Sequence, residues 1–241
     1  MIGRLLQEVS WSSGAGLRRY RDGGCGLENV PTSEVIQALD FLPRELFLGA
    51  VLGAAHGATT ARGVAIREIE AAEVSILDET QLNPRATDRG KQLIVQPDCL
   101  IRSAGSYTLV EVKGLRANSF GERQLAKEYA TALAEARGRS ALILLVLREP
   151  PPISVQKQGR LPLEEAVALK LAEVIAGAPD HSFDHRGMIE RIPEVFAWIT
   201  WAELAHIVDG AAADFVTSDP SIAGMVRRLA RSIAVSTQVH S

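Results

Sequence analysis

Ala141 to Leu147 is an unbroken apolar run, closed by Glu149-Pro150-Pro151-Pro152. It is far shorter than the ~20 residues a membrane-spanning helix needs. It shows neither the alternation of a half-exposed strand nor the 3.6-residue period of a surface helix. An all-apolar segment of this length reads as a strand covered on both faces, the central strand of a parallel sheet. The prolines end it, since proline cannot donate to a ladder. The chain is therefore expected to be α/β, with helices supplying the cover.

Those helices are legible. Pro31-Thr32-Ser33 before Glu34 is a helix start, and apolar spacing runs from there to about His56, broken at Pro43. Two helical pieces are expected, the second being Arg44 to Ala55. Phe120 to Arg137 places Leu125, Tyr129, Leu133 and Ala136 on one stripe. Leu163 to Ile175 is a further helix, followed by a short strand near Val195 to Ile199 and two terminal helices. Residues 64–77 alternate well enough for a strand, with a helix as the alternative. Gln81 to Gly90 is a loop. Three segments follow: an arm over 1–32, a core over 33–150, and a C-terminal helical extension over 151–241 that packs on the core.

Composition narrows the class. With 241 residues, 46% hydrophobic and 23% charged, the chain can bury a core and is neither disordered nor fibrous. Cys25 and Cys99 alone make no disulfide framework and no four-ligand zinc site. MIGRLLQEVSW has no signal-peptide pattern, so a cytoplasmic protein without a membrane segment is expected. Net charge is −3, yet Arg85 to Arg139 carries ten Lys/Arg against six Asp/Glu, or +4, leaving −7 elsewhere. A basic centre in an acidic frame is compatible with nucleic-acid binding.

The chemistry concentrates in Pro97-Asp98 and Glu111-Val112-Lys113, on either side of Ser103-Ala104-Gly105-Ser106, a hairpin signal. A loop of two or four residues there gives one register, in which paired residue numbers sum to 209. Asp98 then faces Glu111, with Cβ atoms ~5 Å apart on one face. Lys113, two residues on, shares that face because strand side chains alternate. Two acids so close repel, and a hard divalent cation, Mg2+ or Mn2+, resolves the conflict. Such an ion lowers the pKa of its water and holds a phosphate in line, and the lysine would position or deprotonate that water. Cys99 alternates to the opposite face and reads as packing.

These residues resemble the PD-(D/E)XK nuclease superfamily, over about residues 33–150. The resemblance implies a restriction-endonuclease-like core, a mixed sheet of about four to five strands in the order α-β-β-β-α-β, with extra C-terminal helices. It implies that Asp98 and Glu111 hold the metal, joined by the Val112 carbonyl, and that Lys113 acts on the nucleophile. It also implies an acid on the first helix, for which Glu45 is the choice and Glu34 the runner-up. Gln124 is the support from the helix after the lysine strand. Tyr129, five residues on rather than the commoner four, is assigned to the core. Lys91, Arg116, Arg123 and Lys127 are the nucleic-acid contacts nearest the site; Arg227, Arg228 and Arg231 give the last helix a basic edge.

The expected activity is that of a magnesium-dependent phosphodiesterase, a deoxyribonuclease or endonuclease preferring DNA, working as a homodimer or within a larger complex. The alternative is a non-catalytic nucleic-acid-binding or assembly subunit that keeps the fold.

Overall fold

The computed structural model describes residues 29–76, 80–81, 94–114, 119–177 and 184–238. In chain order, α1 (Asn29–Phe41) and α2 (Leu48–Ala54) are followed by β1 (His56–Gly57), α3 (Thr59–Arg67) and a 3-10 turn at Ile69–Ala71. Then come β2 (Glu73–Ile76), β3 (Thr80–Gln81), β4 (Ile94–Val95), β5 (Cys99–Arg102), β6 (Ser106–Val112) and β7 (Ser119–Phe120). Next are α4 (Gln124–Ala136), β8 (Ser140–Leu147), β9 (Ile153–Val155), β10 (Gly159–Leu161), α5 (Leu163–Ala168) and α6 (Leu171–Ala176). The chain closes with α7 (His185–Val195), β11 (Phe196–Thr200), α8 (Trp201–Asp214) and α9 (Pro220–Gln238). Residues 1–28, most of the expected arm, lie outside the described residues.

The main sheet is mixed and six-stranded, in the order β1-β11-β8-β6-β5-β2. β2, β5 and β6 form an antiparallel meander; β6, β8 and β11 run parallel; β1 closes the far edge antiparallel to β11. β8 lies inside the sheet, and its residues alternate between two apolar layers. Leu142, Leu144 and Val146 pack with the layer built on α1, α2, α3, α8 and α9, while Ile143, Leu145 and Leu147 pack with the layer built on α4 to α7. Both faces of β8 are thus dry, which is why its sequence does not alternate. Fully burying side chains of this size contributes ~1.5–3 kcal/mol each.

The register expected for the hairpin is the one found: Cys99 pairs with Val110, Leu100 with Leu109, Ile101 with Thr108 and Arg102 with Tyr107. The loop is the two-residue one, with Ser103 N donating to Ser106 O at 3.0 Å. Gly105 lets the Glu68 carboxylate approach closely: its amide donates to Glu68 at 2.8 Å, and a Cβ there would push that carboxylate aside. Hydrogen bonds from Ser103 and Gly105 hold the Glu68 carboxyl below its usual range.

Four expectations are corrected. Residues 64–77 are not one strand: α3 and the 3-10 turn occupy most of the segment, and only Glu73–Ile76 is extended. Ala61, Ala65 and Ile69 are buried at four-residue spacing, so the helical period prevailed over the weaker alternation. The sheet has six strands rather than four or five, because β11 and β1 join it. For the same reason residues 151–241 are more than a helical extension, since they supply β11, directly beside β8. Helix α1 also begins at Asn29 rather than at the Thr32-Ser33 signal.

Candidate active site

The face of the sheet beneath α4 carries the site. Leu109 and Tyr107 of β6 and Leu100 of β5 belong to the α4-side layer, so Glu111 and Lys113, of the same parity as Leu109, emerge on that side. Val112 points into the opposite layer. The site forms where β6 ends, beside the amino terminus of α4.

Asp98 sits in the bend just before β5, and its Oδ2 accepts a hydrogen bond from Val112 N at 2.8 Å. This bond ties the two motif halves together across the strand pair. Glu111 is buried, 5% exposed, and its Oε1 accepts from both Lys113 Nζ at 2.7 Å and Gln124 Nε2 at 2.5 Å. Gln124 Nε2 also donates to Glu128 Oε1 at 2.9 Å, while the Gln124 carbonyl oxygen accepts from Gly121 N at 3.3 Å. The Lys113 ammonium lies 5.1 Å from the centroid of the Phe120 ring, a cation–π contact. Backbone bonds fix the end of the strand: Lys113 N donates to Val146 O at 2.8 Å, and the Trp201 indole donates to Lys113 O at 3.0 Å.

The electrostatics follow from burial and crowding. Desolvation opposes the charge on Lys113, but the attraction and hydrogen bond of Glu111, with Glu128 and Asp98 beyond it, outweigh that cost and push its pKa up. Lys113 is therefore a firmly charged ammonium. Glu128 shows the converse: full burial, then the repulsion of Glu111, push its carboxyl well above the usual range, against smaller opposition from Gln124 and Lys113.

Asp98, Glu111, Lys113 and Gln124 thus come together as expected. Glu45 does not join them. It is exposed in the turn before α2, with its amide donating to Glu70 Oε1 at 2.8 Å. Next to it, Arg44 donates to Ala72 O at 2.5 Å. Ala72 leads into Glu73, which pairs with Arg102 at the turn end of the hairpin, roughly 13 Å along the strand from Asp98. The cause is the helix at 59–67: α3, not the segment 44–55, precedes the meander. Glu34 is also elsewhere, accepting from Ser236 Oγ on α9 at 3.1 Å.

Arg123 and Lys127 line a cleft beside the site with Gln96, Gln124 and Glu128, and Arg123 lies 3.4 Å from Glu173. Lys91 and Arg116 lie outside the described residues. Arg227, Arg228 and Arg231 are exposed on α9. Tyr129 is fully buried, its hydroxyl donating to Met188 O at 2.6 Å, and desolvation pushes its pKa up to about 12. Cys99 is buried in the opposite layer. Trp201 is core, whereas Trp198 is half-buried and stacks on the His56 ring at 4.2 Å.

Glu128 is the site residue that sequence reasoning missed. Its signal was available: an acid four residues after Gln124, within a helix whose Leu125, Ala126, Tyr129 and Ala130 are all buried.

The donor set is oxygen-rich and acidic, which suits a hard divalent ion, and Glu128 Oε2 is buried with no hydrogen-bond partner among the described residues. Among the described residues no three His, Cys, Asp or Glu side chains are arranged as a ready-made metal cluster. Also among the described residues, no helix is long and apolar enough to cross a membrane. Comparison with family models, with curated proteins and with solved structures found no match for the chain.

Proposed function

We propose that the chain is a divalent-metal-dependent nuclease that hydrolyses phosphodiester bonds, with DNA the favoured substrate. The observation that carries this is Glu111, a buried carboxylate at the end of a core strand, gripped by Lys113 and Gln124, with Asp98 tied to the adjacent backbone. A buried acid is costly unless paired, and this one sits where a sheet, a helix terminus, one ammonium and one side-chain amide converge. The order α3, β2, β5, β6, α4, β8, with an antiparallel meander and a parallel fourth strand, supports the resemblance to the PD-(D/E)XK fold.

Asp98 and Glu111, with the Val112 carbonyl, would hold Mg2+ or Mn2+. The ion's contribution is a water of lowered pKa and an electrophilic hold on the phosphate. Lys113 would position the nucleophile or stabilise developing negative charge. Gln124 orients Glu111. Arg123 and Lys127 receive neighbouring phosphates.

The test is cleavage of supercoiled and linear DNA with Mg2+ or Mn2+ and with EDTA. Metal-dependent, EDTA-sensitive cleavage that is lost in Lys113→Ala supports the assignment; an inert wild type on every DNA and RNA form tried refutes it. A non-catalytic subunit is the second reading, favoured by the double hold that Lys113 and Gln124 already exert on Glu111 Oε1. Binding of Mn2+ by the wild type, lost in Asp98→Ala, would decide against it.

A further inference from the structure

Helix α4 is a core helix, and a glutamate on its buried side needs a reason. Glu128 is 3% exposed. Its Oε1 takes one hydrogen bond from Gln124, and its Oε2 takes none among the described residues. Leaving a buried carboxylate oxygen unpartnered is costly, and Glu128 is the one charged side chain among the buried residues of this helix. Yet the side chain is not sealed away, since it lines the cleft that Gln96, Arg123 and Lys127 also line. Arg123 Nε is likewise buried and without a hydrogen-bond partner among the described residues.

Charge sharpens the point. Glu111 contacts the Lys113 ammonium at 2.7 Å, and the charges of Glu128 and Asp98 also act on that ammonium, so three carboxylates share one cation. Fully ionised, the group carries two uncompensated negative charges, the charge of one divalent cation. The positive edge of the Gln124 amide lies between two of the acids, 2.5 Å from Glu111 Oε1 and 2.9 Å from Glu128 Oε1. A neutral amide is a weak substitute for a cation in that position.

We propose that Glu128 is the third carboxylate of the centre, its free Oε2 taking the divalent ion held by Asp98 and Glu111. Gln124 is then the clip that keeps Glu111 and Glu128 together until the ion arrives, and Arg123 and Lys127 face the phosphate across the same cleft. The assignment rests on the metal-dependent reading above, and adds to it a ligand from the helix rather than from the sheet.

Mn2+ titration of the purified protein, read by calorimetry and by loss of the free-ion paramagnetic resonance signal, tests it without any measure of activity. Wild type, Glu128→Gln, Glu128→Met and Asp98→Asn are compared, with melting curves in EDTA as the check on folding. The expected result is saturable binding by the wild type, weakened about tenfold or more in both Glu128 substitutions, because ligand charge and number set the affinity. Both substitutions should melt at or above the wild-type temperature in EDTA, and at one Mn2+ concentration the melting temperature should rise less in them than in the wild type. Wild-type affinity in Glu128→Gln overturns the role of Glu128 and leaves the metal-dependent reading standing. No Mn2+ binding by the wild type at millimolar concentration overturns both. Weakened binding with loss of folded structure in both Glu128 substitutions also overturns the assignment.

Discussion

Lys113 Nζ lies 2.7 Å from Glu111 Oε1, a buried ion pair between two residues on the same face of one strand. Removing one member leaves the other charged and buried, which costs ~3–5 kcal/mol for such pairs. Lys113→Met should therefore lose stability on that order, and Glu111→Gln with Lys113→Met together should recover much of it. Urea unfolding of both single variants and the double variant gives the coupling. Cleavage should fall by a factor of about 100 or more in Lys113→Met, as removal of a preorganised charge at a reacting phosphate does.

Glu128 sets a pH-dependent stability. Its folded carboxyl is raised above the unfolded value of ~4.3, so the folded state binds the extra proton. The stability it contributes is complete below that unfolded value and is lost as pH rises through the folded pKa. Glu128→Gln stays neutral, so its advantage over the wild type should be small at acid pH and widen toward neutral and alkaline pH. Metal-free melting curves across that range check it; an advantage that shrinks as pH rises would contradict the burial argument.

Gln124 holds Glu111 and Glu128 through one nitrogen. Gln124→Ala should lower the turnover rate by ~10–100-fold, the usual cost of losing a group that orients a ligand. The substrate concentration giving half-maximal rate should move little, because the amide touches carboxylates rather than DNA. Gln124→Glu should be worse, placing a third acid against two.

Tyr129 tests the boundary between site and core. Tyr129→Phe removes a hydroxyl that donates to Met188 O at 2.6 Å and leaves that buried carbonyl without it. A loss of ~1–2 kcal/mol is expected, with unchanged cleavage at temperatures where the variant is folded. A fall in rate without a fall in stability would place Tyr129 in the chemistry instead.

The strand pair carrying the site was legible because two local signals agreed. A turn sequence set the register, and alternation set the face, so Asp98, Glu111 and Lys113 could be placed together from spacing alone. The segment 64–77 misled because its short amphipathic pattern suits both periods, and only packing of Ala61, Ala65 and Ile69 decides. That one error also displaced Glu45, since counting the helix before the meander depended on it. Glu128 escaped notice for a different reason: a charge on a helix is usually solvated, and only the position of α4 against the sheet buries it. Nor does spacing show that β11, about fifty residues after β8, lies beside it.

That placement of β11 has a consequence for how the molecule can be cut. A fragment ending at residue 150 would lack the neighbour on one side of β8, baring the backbone of the most apolar strand in the chain. Open edges of that kind recruit other chains, so such a fragment should associate and precipitate rather than behave as a minimal folded unit. It would also lack Trp201, whose indole braces the Lys113 carbonyl from the far end of the sequence.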